Sequence, residues 1–295
     1  MTRIQPKTAM PLWLAIIKLL RWDKPEGRLI LMIPALWAIF LAGQGRPAPL
    51  LVAIVIAGSL ATSAAGCVVN DLWDRNIDPQ VQRTQTRPLA NRTLTIWVGL
   101  GVTSVAFACA FGLSRFLNPL SFGLCLAAVP VIIFYPLAKR VFPVPQLVLA
   151  IAWGFSVLIS WSAVTGTLPP SSWLLWAATL LWTLGFDTIY AMPDRIDDRR
   201  LGIHSSAIFL GKFAPQGIGL CLGGTVLCLA LTGIVLKLQI GFWISLGLSS
   251  YLWWRQYLRL GRSHSPVAVY GQLFRQNVWI GVLLLLGMIS GSLWP

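Results

Sequence analysis

Acidic side chains are scarce in this 295-residue chain: nine, against 23 lysines and arginines. Charged residues of both signs reach only 11% and hydrophobic residues 56%, where a soluble domain carries about 25% charge. A water-soluble globular fold is thereby excluded and an integral membrane protein indicated. Cysteine is also sparse. Cys67, Cys109, Cys125, Cys221 and Cys228 fall within apolar stretches and show no metal-ligand spacing, so they read as small packing residues and not as a disulfide framework. No cleavable signal pattern opens the chain, because the first apolar stretch, 11–20, is short and followed by charges. Residues 8–20 read instead as a short amphipathic helix lying on the inner leaflet. No polar linker is long enough to separate two domains, so residues 1–295 read as one membrane-embedded domain, with 1–27 as an interfacial segment.

A membrane helix needs about 20 predominantly apolar residues. Apolar runs between charged or Pro/Gly-rich breaks give nine expected spans, near 28–44, 48–69, 93–114, 118–136, 144–164, 171–191, 215–236, 238–257 and 274–294. Cytoplasmic loops gather Lys and Arg. With the N-terminus inside and nine spans alternating, every basic residue except Arg46, Arg115 and Lys237 falls on the inner side, Arg3, Lys7 and Arg262 among them. The expected architecture is therefore an all-α, polytopic bundle of nine helices. The net charge of +14 is explained by this bias and by attraction to anionic membrane lipid, with no nucleic-acid partner. A run of small residues, 58–66, permits close helix packing in the second span.

Seven of the nine acids stand in two clusters, each at the end of an apolar span and each carrying D-R-x-x-D. The first contains Asp71, Asp74 and Asp78, in N-D-L-W-D-R-N-I-D, 70–78. The second contains Asp187, Asp194, Asp197 and Asp198, around D-R-I-D-D, 194–198. Neighbouring carboxylates repel by roughly 3–4 kcal/mol per pair at an effective dielectric near 20, so such clusters call for a bound cation. Read as helical, Asn70, Asp74 and Asp78 project from one face, with Asp71 slightly aside. Asp194 and Asp198 share a face with Asp187, the acid set deepest in a span. Each strip offers the hard oxygen ligands that Mg²⁺ takes, and two ions facing each other would clamp a diphosphate. The competing reading is a solvated helix end with ion pairs to Arg75, Arg195 and Arg199.

Between the clusters lies Y-P-L-A-K-R, 135–140. Lys139 and Arg140 can neutralise phosphate oxygens and Tyr135 can donate a hydrogen bond, although alone the pair would read as basic residues snorkelling at a boundary. R-T-Q-T-R-P-L places Arg83 and Arg87 on one helical face beside the first cluster. Most of the fifteen tryptophans read as interface-belt residues; Trp73 stands inside a motif. His204 follows the second cluster as a phosphate or loop contact. These elements assemble into a membrane-embedded site for a lipid diphosphate, whose leaving group is drawn off by two Mg²⁺ ions.

The chain resembles the UbiA superfamily of intramembrane prenyltransferases over essentially its whole length. R-W-D-K-P-E-G, 21–27, opens the resemblance. N-D-L-W-D-R-N-I-D followed by Q-R-T-Q-T-R-P-L-A is similar to the first aspartate motif and its arginine-containing extension. Residues 187–205 are similar to the second motif in the 4-hydroxybenzoate branch, and Y-P-L-A-K-R to the Tyr-x-x-x-Lys element. The resemblance implies a central cavity capped by motif-bearing loops on the cytoplasmic face of a bacterial inner membrane. It implies Asn70, Asp74 and Asp78 for one Mg²⁺, and Asp194 and Asp198 for the other. Tyr135, Lys139, Arg140 and Arg75, with Arg21, Arg83, Arg87, Arg195 and Asp187 around them, would serve polyprenyl diphosphate or orient the aromatic acid. The implied reaction is C-prenylation of 4-hydroxybenzoate ortho to its hydroxyl, early in quinone synthesis. Pro193 and His204 depart from the pattern, where a branched aliphatic and a lysine are common. Homogentisate, dihydroxynaphthoate, chlorophyllide or haem are the alternative acceptors. A lipid alcohol phosphatidyltransferase lacks its D-G-x-x-A-R element here, and a cation transporter would place acids near the bilayer midplane.

Overall fold

A computed structural model describes residues 10–261 and 267–293. Arg3, Lys7, Arg262, the first two residues of the expected interfacial helix and the last of the ninth expected span lie outside the described residues. Twelve α-helices follow in order: α1 Leu12–Leu19, α2 Glu26–Ala42, α3 Pro49–Asp74, α4 Ile96–Ser114, α5 Pro119–Val141 and α6 Pro145–Thr165; then α7 Pro170–Ala191, α8 Arg195–Arg200, α9 Ser206–Leu210, α10 Ala214–Val235, α11 Ile240–Leu260 and α12 Val267–Leu293. No strand occurs among the described residues. Nine of these helices coincide with the nine expected spans. Among the described residues, seven segments are long and apolar enough to cross a membrane by length and composition, which makes this a multi-pass membrane protein. The two remaining long helices are α2, at 17 residues, and α11, which carries Arg255 and Arg259 in its final turns.

Local sequence sets the helix ends. Proline stands in the first turn of α3, α5, α6 and α7, where its missing N–H costs nothing and its fixed φ suits the helix. Thr95 and Asn118 accept hydrogen bonds from Val98 N–H and Ser121 N–H and so cap α4 and α5. Gly166, at φ +70°, closes α6 in the left-handed region. The largest difference from expectation is in α12, which begins two turns before the ninth span and carries Arg275 inside it.

The helices pack around a ring in which α3 contacts α4 and α5, α5 contacts α6, and α6 contacts α7. From there α10, α11 and α12 follow in sequence, and α2 closes the ring against α12, α3 and α6. The short α1 docks through Ala15 and Leu19 onto Val68, Leu89 and Leu94 and leaves Leu12 and Trp13 exposed. Small residues allow close approach between α11 and α12: a Cβ on Gly291 would fall 2.6 Å from Phe242 Cβ.

The interior between α2, α7, α11 and α12 is aromatic, with one buried polar hub. The Trp37 and Trp182 rings stack at 4.8 Å between centroids. Trp182 Nε1 and Trp253 Nε1 both donate to Asn277 Oδ1, at 3.0 and 2.9 Å. Asn277 Nδ2 donates to Gln256 Oε1 and Leu273 O. Every polar atom of Asn277 is thus engaged, as a fully buried amide requires. Asn277→Leu would strand two indole N–H groups at about 1–3 kcal/mol each. Thermal unfolding in detergent is expected to show a clear drop in Tm, and an unchanged Tm would show that the indoles find other acceptors.

Candidate active site

The two acidic clusters end at the same end of the bundle and face one cavity of about 1260 Å³. Its deep walls are apolar, with Ile54, Val55, Phe107, Leu126, Val129 and Ile159 among them. Its mouth is polar: Asn70, Asp74, Asp78, Arg83, Arg87, Tyr135, Lys139, Asp187, Asp194 and Asp198 all line it, as does Arg21. Sequence distance is large but the folded separation is small, because α3, α5 and α7 terminate together.

The clusters are not the continuous helical strips that their spacing suggests. The first helix stops at Asp74, and Asp78 opens a separate 3-10 turn, Asp78–Gln80. Asp78 still reaches the cavity because the turn folds back under the helix end. Arg83 and Arg87 stand on successive turns instead of a helix. In the second cluster α7 ends at Ala191 and a 3-10 turn, Met192–Asp194, precedes α8. Pro193 sits inside that turn; without an N–H it cannot continue the α-helical ladder.

Five ion pairs bind this mouth together. Lys139 Nζ donates to Asp74 Oδ2 at 2.5 Å, joining α5 to α3. Arg87 Nη1 donates to Asp78 Oδ2 at 2.8 Å and to Asp71 Oδ1 at 3.2 Å. Arg21 Nη2 donates to the same Asp71 oxygen at 2.6 Å. Arg21 itself lies at φ +58°, a left-handed backbone that a side chain with a Cβ adopts only when its surroundings hold it there. Arg83 bridges the two clusters: Nε and Nη2 engage the Asp194 carboxylate at 2.5–3.1 Å, and Nη1 donates to the Tyr190 hydroxyl at 2.6 Å. The loop carrying Arg83 is also tied down where Gln82 N–H donates to Asp197 Oδ2 at 3.2 Å. Burial works against the charge of both loop arginines. The neighbouring Tyr190 and Asp194 outweigh it for Arg83, and Asp71 and Asp78 for Arg87, so both guanidinium pKa values lie above the ordinary arginine value.

Four residues expected at the site do not line the cavity. Asp71 is fully buried and turned to Arg21 and Arg87 at its edge. Arg75 folds back to donate to Leu72 O, and Arg140 Nη2 donates to Trp73 O at 2.6 Å; both satisfy carbonyls freed at the end of α3. Arg195 stands on α8 outside the lining. Tyr135 hydroxyl accepts from Asn70 Nδ2 at 3.3 Å, and the His204 N–H donates to Lys139 O at 2.8 Å. Conversely, the cavity holds residues that spacing did not single out. Tyr190 lies one turn after Asp187. Gln146, near the start of α6, accepts from Ser206 N–H at 2.7 Å. Arg28 lines the cavity from the first turn of α2, where it had read as one more inner-side charge.

The donor set suits a hard divalent cation shared with a ligand. Asp74 Oδ1 is buried and has no hydrogen-bond partner, while its Oδ2 is held by Lys139. Among the described residues no three His, Cys, Asp or Glu side chains form a ready-made cage. That is the arrangement in which Mg²⁺ takes one or two carboxylates and completes its shell with water and phosphate oxygens.

Residues 31–278 match the UbiA prenyltransferase family. A 4-hydroxybenzoate solanesyltransferase from Synechocystis sp. is 58% identical over 98% of this chain and 99% of its own. A 4-hydroxybenzoate octaprenyltransferase from Ralstonia nicotianae is 40% identical over 96% and 97%. Among solved structures, the apo form of a UbiA homolog from Aeropyrum pernix K1 superposes with a TM-score of 0.76 at 23% identity, covering 88% of this chain and 96% of that one. A UbiA homolog from Archaeoglobus fulgidus bound to GPP and Mg²⁺ superposes with a TM-score of 0.66 at 16% identity, covering 92% and 99%; at these identities the likeness concerns the fold. The chain is a member of the UbiA prenyltransferase family.

Proposed function

We propose that this protein transfers a polyprenyl group from polyprenyl diphosphate to the ring carbon of 4-hydroxybenzoate ortho to its hydroxyl, early in the synthesis of a ubiquinone- or plastoquinone-type quinone. The observation that carries this reading is the single cavity in which both aspartate clusters, Lys139 and two loop arginines form the mouth of an apolar chamber. The relatives named for 4-hydroxybenzoate prenylation support the acceptor. The concentration of Lys and Arg on the side bearing the motifs supports a bacterial plasma-membrane location with the mouth toward the cytoplasm.

At the mouth, Lys139, Arg83 and Arg87 meet the diphosphate with fixed positive charge in surroundings of low dielectric, where such contacts are stronger than in water. Asn70, Asp74, Asp78, Asp194 and Asp198 would hold Mg²⁺, two ions in this proposal, whose chemistry is to neutralise the departing diphosphate as a Lewis acid. The C–O bond of the prenyl diphosphate breaks and the allylic cation lies against apolar and aromatic walls, including Trp153 and Phe274, whose π-faces favour positive charge. The ring carbon then bonds to the cation, and the ring proton leaves to a basic group at the mouth. Dry walls keep water from capturing the cation first. Asp71, Arg75 and Arg140 act behind this surface: they hold the end of α3 and the loops in position.

Purified protein in detergent, given Mg²⁺, labelled 4-hydroxybenzoate and a polyprenyl diphosphate, is expected to form prenylated product. Asp74→Asn and Asp194→Asn are each expected to lower turnover by about 10²–10³, the usual loss on removing one electrostatic contact to a transition state. Chelation is expected to stop the reaction and Mg²⁺ to restore it. No product from folded wild-type protein would overturn the assignment, and the same assay with homogentisate and dihydroxynaphthoate would then identify another acceptor. Arg83→Met tests the bridge between the clusters separately: the KM for prenyl diphosphate is expected to rise roughly tenfold or more, with the KM for 4-hydroxybenzoate little changed.

A further inference from the structure

Arg28 is the unusual charge of the cavity. Only 5% of its surface is exposed, and it lines the chamber from the first turn of α2. Its Nε and Nη2 are both buried without a hydrogen-bond partner. Of the other cations lining the cavity, Arg21, Arg83, Arg87 and Lys139 are each bound to an aspartate, Lys24 and Arg275 are exposed and Lys18 is half-buried. Arg28 has no ion pair among the described residues, and its polar side chain is held by stacking on Trp22, 4.9 Å from the ring centroid. A buried, unpaired guanidinium is strongly disfavoured unless an anion arrives to share it. A planar fork of donors selects a planar, bidentate partner, which is a carboxylate more than a point charge.

Position separates this anion from the diphosphate. The ionisable neighbours of Arg28 include Cys67 and Arg21. Cys67 lies seven residues before Asp74 on α3, or about 10 Å along the helix axis. Arg28 therefore belongs to the α2–α3 wall, away from the end of α5 where Lys139 stands and from the end of α7 that leads into Asp194. A flat ring whose carboxylate met Arg28 would turn its hydroxyl end toward the opposite wall. We propose that Arg28 is a specificity-determining residue that binds the carboxylate of the aromatic acceptor and so turns the carbon ortho to the hydroxyl toward the prenyl group. The proposal rests on the acid-prenylating reading given above. It leaves the donor diphosphate to the cations that already face the aspartates.

The test compares wild type, Arg28→Lys and Arg28→Met in the detergent assay, with 4-hydroxybenzoate and its neutral amide as acceptors. For Arg28→Met the KM for 4-hydroxybenzoate is expected to rise about ten- to a hundredfold, the loss of one charge-assisted pair, with the KM for prenyl diphosphate unchanged. The preference for acid over amide shown by wild type is expected to shrink by the same factor. Arg28→Lys, which keeps the charge and loses the fork, is expected to fall between. Equilibrium binding of labelled 4-hydroxybenzoate without donor should weaken in the same order. Unfolding curves separate these effects from misfolding, and Arg28→Lys retains the test if Arg28→Met does not fold. A rise in the KM for prenyl diphosphate alone would assign Arg28 to the donor and overturn the proposal. So would unchanged acid-over-amide preference in folded variants. Failure of wild type to prenylate either acceptor would instead overturn the function itself.

Discussion

Everything at the mouth of this protein depends on keeping charge at the end of apolar helices. Carboxylates at such a boundary are expensive unless each is matched, and here the matching is done across elements instead of along them. Lys139 ties α5 to α3 through Asp74, Arg87 ties its loop to Asp71 and Asp78, and Arg83 ties that loop to Asp194. The carboxylates of the first cluster are buried, so each would be an uncompensated charge without its cation. The effect of the pairs is positional: they hold two loops, long in sequence and without helices of their own strong enough to fix them, over one opening. A diphosphate with its counter-ions enters a site whose internal charges are already nearly balanced, so binding requires some of these pairs to open toward the ligand.

The scaffold behind the mouth has the opposite character. Below Asp74 and Asp187 the cavity is walled by aliphatic and aromatic side chains, and the far side of the bundle is closed by Trp37, Trp182, Trp253 and the Asn277 hub. In a bilayer, association between helices draws little from hydrophobicity and much from close contact and satisfied polar groups. Gly291 against Phe242 and Asn277 between two indoles supply those two terms. Helices fixed in this way can afford a large unfilled chamber on the other side, and a greasy chain can lie in it.

Much of this was legible in the sequence. Apolar runs broken by charge located the long helices, and seven described segments meet the length and polarity that a bilayer imposes. Grouping of the aspartates pointed to residues that the fold does bring to one cavity mouth. What was not legible came from local geometry. Helical spacing put Asp74 and Asp78 on one strip, yet the helix ends at Asp74 and a 3-10 turn carries Asp78. Pro193 breaks the second strip in the same way. Arg75 and Arg140 have the composition of anion ligands, but unsatisfied carbonyls at the end of α3 are nearer and hold them. Which cation faces the substrate and which caps a helix is decided by distances that no spacing rule contains.

Arg28 shows the same limit from the other side. By charge counting it is indistinguishable from Lys24 or Arg21, one more basic residue at the inner end of an apolar run. What distinguishes it is the coincidence of burial, absent partners and a place on the cavity wall. Arg21, Arg83, Arg87 and Lys139 have each taken an aspartate, so a buried guanidinium left unpaired marks where the fold expects negative charge from outside. A transferase with two substrates must distinguish its two anions. Here the diphosphate would meet cations already shared with aspartates and metal, while a carboxylate would meet the buried, unpaired fork of Arg28 on the α2–α3 wall. Such a division orders the reacting groups: one anion fixes the leaving group, the other fixes the ring, and the carbon to be bonded lies between them.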